Sequence, residues 1–219
     1  MRRERLHRLQ SRLLLPAGVA LLLLLIAWVV LAPAEAQLGN LIKLVYVHGA
    51  LVFSGLLAFS VAGLLGLVAL IVGRPAWYRG ADAAGWGALL VWIVYALSAM
   101  AVTRLAWGQL VAWNEPRVRA TALVLGAAVV LELAIRLVSQ RALGASVRIV
   151  MGIASWLVTR QAEVIRHPVD PIGGSASTSI QVYFLLILLT LGGLVLDLLA
   201  WLWIESEIRH RHPGAEGQV

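Results

Sequence analysis

Apolar residues along this chain run on rather than alternate. Residues 13–31 are apolar throughout, and 44–72, 83–102, 120–138 and 180–204 follow in the same manner. Each is close to the ~20 residues with which an α-helix crosses hydrocarbon, and none has the period-two pattern of a membrane barrel strand. Residues 147–159 form a weaker, shorter stretch with Arg148 at its edge, where a snorkelling guanidinium would lengthen the effective span. The pattern predicts an all-α polytopic membrane protein of six transmembrane helices, with one domain over residues 1–205 and a polar tail over 206–219. The segment APAEAQ after the first run imitates a signal-peptidase site. That run exceeds the roughly 7–15 residues of a signal-peptide core, so it is read as a retained span.

One interruption differs from the rest. Residues 103–121, TRLAWGQLVAWNEPRVRAT, carry Trp107 and Trp113, Arg104, Arg117 and Arg119, and Glu115, with Gly108 and Pro116 to bend the backbone. The segment is expected as one long loop between the third and fourth spans. Its indoles can stack on a flat ligand and its guanidiniums can pair with acids.

Composition supports the membrane assignment, with 61% hydrophobic residues, 13% charged residues and a mean hydropathy of +0.87. A net charge of +7 would point to nucleic acid in a soluble protein. Next to apolar spans it sets orientation instead. One set of connections and ends holds Arg2, Arg3, Arg5, Arg8, Arg12, Arg74, Arg79, Arg136, Arg141, Arg148, Arg209 and Arg211; the other holds only Lys43, Arg104, Arg117, Arg119, Arg160 and Arg166. Both termini are therefore expected in the cytoplasm, and the basic charge left outside suggests an anionic partner there. The chain has no cysteine, which excludes disulfides, thiolate metal sites and thioether attachment of haem.

His7, His210 and His212 fall in the polar ends and read as solvated residues. His48, just inside the outer start of the second span, and His167, in the loop before the last, share the outer side with the tryptophan segment. An ionisable residue at membrane depth is a candidate functional group, although either histidine alone also reads as a packing or loop residue. Two neutral imidazoles can hold haem iron while arginines pair with its propionates and indoles cover the ring. Trp28, Trp77, Trp201 and Trp203 are explained as interfacial anchors. Within the spans, Glu132 and Arg136 share a helix face and can pair, with Asp197 as an alternative partner for Arg136. Gly63, Gly66, Gly192 and Gly193 suit close helix contacts.

These residues carry a resemblance. The chain resembles the haem-handling membrane proteins of cytochrome c maturation, the CcmC/CcsA-type family, whose outer segment reads roughly W-G-x-x-W-x-W-D-x-R. Trp107, Gly108, Trp113 and the basic residues after them keep that frame; Tyr46 and His48 match a Y-x-H, and His167 and Pro168 match an H-P before the last helix. Val111 and Asn114 replace a tryptophan and an aspartate of the pattern, the tryptophans before the second histidine are missing, and either Arg117 or Arg119 fits the motif's arginine.

The resemblance implies a non-enzymatic handler in a prokaryotic inner membrane. It would bind haem b non-covalently as cargo, with His48 and His167 as axial ligands and Trp107, Trp113, Arg117 and Arg119 around them. It would deliver haem to a chaperone or to the cytochrome c synthesis proteins, with ABC transporter subunits and membrane lipids as further partners and no nucleic acid. Two other classes fit the spans. A b-type electron-transfer subunit would place its ligands in facing helices, and an anion transporter subunit would line a path with Glu132, Arg136 and Asp197.

Overall fold

A computed structural model describes residues 2–165 and 172–210. Among them six helices are long and apolar enough to cross a membrane. The first is a continuous rod made of α1 (Arg2–Leu9), a π-helical turn (Gln10–Leu14) and α2 (Leu15–Leu31). Then come α3 (Leu41–Val72), α4 (Pro75–Trp107), α5 (Pro116–Val138), α6 (Arg141–Gln161) and α7 (Thr178–Arg209).

Their limits follow from local chemistry. Pro75 and Pro116 open α4 and α5, where a missing N–H costs nothing because the first helical donors have no intrahelical acceptor. Gly73 and Gly108 close α3 and α4 in the left-handed conformation, at φ 70° and 71°, which glycine adopts without the Cβ penalty.

Several expectations change here. The weak stretch at 147–159 is the middle of a full helix, α6, and α4 starts well before residue 83 and runs on to Trp107. The long loop at 103–121 shrinks to 108–115, because Arg104 and Trp107 belong to α4 and Arg117 and Arg119 to α5. The periodic apolar signal stops where polar residues begin, but helical hydrogen bonding continues to the next glycine or proline. α7 likewise passes residue 205 to reach Arg209, and His7 lies on α1 instead of in an irregular arm.

α3 is central and packs against α4, α6 and α7. Small residues allow this. A Cβ at Gly55 would stand 2.8 Å from the Trp92 ring, and one at Gly66 would stand 2.6 Å from the Ala145 carbonyl. Close backbone approach of this kind replaces the hydrophobic drive that is absent between helices in lipid. The first rod is peripheral; no residue of its apolar window is buried.

Arg148, Glu132 and Arg136 form a paired cluster inside the bundle. Arg148 does not snorkel: its side chain is 7% exposed, and it donates through Nη1 to Glu132 at 2.5 Å, with Asp82 at 3.8 Å. Arg136 reaches Glu132 at 3.5 Å and covers the Trp86 ring at 4.3 Å. Asp197 is not its partner, because that carboxylate faces Gly18 on α2.

The two ends of the bundle have different contents. At one end Gln10 donates to the Trp201 carbonyl, Arg79 pairs with Glu207 at 2.6 Å, and the Trp203 indole donates to the Ala76 carbonyl. The other end holds the connections 32–40 and 108–115 and the described segments 162–165 and 172–177.

Candidate functional site

His48 sits on α3 about 10 Å in from Leu41 by helical rise, at the end that carries the long connections. Its ring stacks on Tyr95 of α4, with centroids 5.1 Å apart and planes 24° apart. Nδ1 lies 3.0 Å from the Ser98 hydroxyl, which donates to the Tyr95 carbonyl at 2.7 Å. Tyr95 and Ser98 are a turn apart on α4 and so present one face to α3.

The same tyrosine leads on to α5. Its phenol oxygen is 3.1 Å from the Thr121 hydroxyl, which donates to the Arg117 carbonyl at 2.9 Å. Trp92, fully buried, donates its indole N–H to the Thr121 carbonyl at 3.1 Å. A part-buried series of ring and hydrogen-bond contacts thus joins His48 to the first turn of α5, where Arg117 stands. Arg117 is half-buried, and its Nε is sealed from solvent without a hydrogen-bond partner among the described residues. Arg119 points into the exposed surface.

The connection 108–115 is a pinned turn. Thr103 donates to the Leu110 carbonyl at 2.8 Å, and Arg104 donates to the Gly108 carbonyl at 2.6 Å. That bond engages one of the five donors of the exposed Arg104 guanidinium. Glu115, 1% exposed, accepts the backbone N–H of Ile165 at 3.3 Å and ties the turn to the connection after α6. Trp107 is half-buried at the end of α4, whereas Trp113 is 61% exposed at the tip of the turn.

His167 and Arg166 lie outside the described residues. Their flanks are described: Ile165 is held by Glu115, and Ile172 is buried beside Gly49, the neighbour of His48. His210 is exposed at the opposite end, with Nδ1 3.1 Å from the Ser206 carbonyl. His212 lies outside the described residues.

No family model and no curated protein matches the chain.

A half-buried imidazole on one helix and a guanidinium with an unspent buried donor on another suit a ligand that is both metal-centred and acidic. Haem is one ligand with that chemistry, and of the residues expected to hold it the described ones at this end are His48, Trp107, Trp113, Arg117 and Arg119. Sequence reasoning missed Tyr95 and Ser98, which with Thr121 hold the two groups together; the available signal was a Y-x-x-S pair inside an apolar run.

A small cavity lies elsewhere, lined by Phe59, Gly85, Leu89, Glu132 and Arg148. Phe59 is about 16 Å further along α3 from His48, so the cavity belongs to the buried ion pair.

Proposed function

We propose that the end of the bundle carrying His48, Trp113 and Arg117 binds haem b as cargo and passes it to a haem chaperone or to cytochrome c attachment proteins. The observation that carries this reading is the unspent Nε of Arg117, joined through Thr121 and Tyr95 to the imidazole of His48. His48 would take the iron and Arg117 a propionate, with His167 as the second ligand and Arg119 and Trp107 at the margin. Trp113, exposed at the tip, suits contact with the ring or with the acceptor.

The uneven spread of arginines supports a multi-pass protein of a prokaryotic inner membrane with this end outside and both termini in the cytoplasm. In this reading the Glu132–Arg148 pair is a structural fastening, since both charges are engaged within the bundle.

Absorption spectra of the detergent-purified protein, oxidised and reduced, test the proposal. A six-coordinate haem spectrum that His48→Ala weakens and His210→Ala leaves intact is expected. A colourless protein after expression with ample haem, or a spectrum unchanged by His48→Ala, would overturn it.

A further inference from the structure

The Ser98 hydroxyl owns one proton and has lone pairs to spare. That proton is committed to the Tyr95 carbonyl at 2.7 Å, a short bond back along the same helix. The contact with His48 at 3.0 Å must then run the other way, with the imidazole donating and the serine oxygen accepting. A neutral imidazole has a single N–H, and here it is on Nδ1.

We infer that Ser98 is a positioning residue: it fixes His48 in the Nδ1–H tautomer and so makes Nε2 the nitrogen that accepts a proton or a metal. The bonds form a chain, N–H to hydroxyl to carbonyl, in which each donor is polarised by the next, and a low-dielectric interior strengthens it. Ring rotation offers no escape. The Tyr95 face, 24° from parallel at 5.1 Å, holds the imidazole plane, and a half-turn of the ring would set a carbon against the serine oxygen. Reversing the serine proton fares no better, because it would give up the bond to the Tyr95 carbonyl. On the other flank of α3, a Cβ at Gly49 would meet the Phe184 ring of α7 at 3.2 Å, so the helix that carries the imidazole is wedged between α4 and α7.

This rests on the haem reading only for its use. In a metal site the ring nitrogen away from the metal almost always donates to a fixed acceptor, which orients the ring and raises the basicity of the ligating nitrogen. Ser98 would be that acceptor.

The test uses the full chain with 15N-labelled histidine, produced in a haem-deficient host and held in lipid nanodiscs at a pH that keeps imidazoles neutral. Nitrogen shifts and one-bond N–H couplings report the tautomer, and the His48 signals are identified by their loss in His48→Gln. The expected result is a single Nδ1–H form in the wild type. In Ser98→Ala the ratio of Nδ1–H to Nε2–H should fall by about fivefold, the worth of one net hydrogen bond. Ser98→Thr, which keeps the hydroxyl, should restore it. An Nε2–H or doubly protonated wild-type ring overturns the inference, and so does an unchanged ratio in Ser98→Ala. The wild-type spectrum needs no variant, so an alanine chain that misfolds still leaves a decision. Haem titration of the same samples separates the two ideas. The Nδ1–H form without haem binding sinks the haem reading alone, while haem binding to a chain with Nε2–H sinks this inference alone.

Discussion

Arg117 and Arg119 stand two residues apart on α5 and differ in their surroundings. Arg117 is half-buried beside Thr121 with a sealed, unspent Nε, whereas Arg119 is exposed. A planar guanidinium grips a carboxylate with two parallel bonds, which the point charge of lysine cannot reproduce. Arg117→Lys should therefore weaken haem affinity by roughly tenfold, the scale of one charge-assisted bond, and Arg119→Lys should leave it within about twofold, as expected of exposed charge. Titration with haem and with its dimethyl ester checks this, since the ester lacks the charges that Arg117 would grip. Equal affinity of the wild type for both, with neither variant altered, removes the arginine clamp. At this scale the sequence made the chemistry of the two arginines legible but not the choice between them, because burial depends on how α5 meets α4. A tryptophan pair belongs here too. Replacing Trp107 and Trp113 together with alanine should lower haem affinity while insertion into the membrane persists, since indoles at a helix end and an exposed turn are not needed to span it. Retained affinity in that double variant, measured by the same titration, would place the indoles outside the site.

At the scale of elements, the apolar runs gave away the helices but hid their ends. The polar residues 103–107 and 116–119 read as loop because periodicity fails there, yet glycine and proline geometry decides where hydrogen bonding stops. Arg148 shows the same blind spot: placed at the edge of a short span, it looked free to snorkel, and the true start of α6 at Arg141 puts it inside. Its pair with Glu132 joins α5 to α6. Removing one partner strands a buried charge, so Glu132→Leu should destabilise the bundle by about 3–5 kcal/mol, whereas Glu132→Leu with Arg148→Met should recover most of the loss. Unfolding in mixed micelles, followed by tryptophan fluorescence, measures both. A double variant as unstable as the single would show that the pair contributes more than mutual neutralisation.

The whole molecule is ordered by which end each connection occupies. The structure brings 108–115 and 162–165 together through Glu115 and Ile165, and it brings Gln10 to Trp201, so the alternation of six spans holds at both ends. This much was legible from counting spans. Contacts between His48, Tyr95 and Thr121 were not, since they join three helices distant in sequence. Which end faces the cytoplasm is part of the proposal and rests on charge: basic residues concentrate at the end of Gln10 and Trp201, and Lys and Arg near span ends tend to be retained on the cytoplasmic side. Reporter fusions at Gly73 and at Ser139, the helix ends on that side, should therefore be active as a cytoplasmic fluorescent protein and silent as a phosphatase that folds only outside. Fusions at Asn114 and Gly173 should show the reverse. A fusion at Gly73 or Ser139 leaves the preceding helix whole. The decisive position is Asn114, in the turn between the two arginine-bearing helix ends. A cytoplasmic signal there would turn the site inward, and delivery of haem to an outer acceptor would lose its geometry even if His48 still bound it.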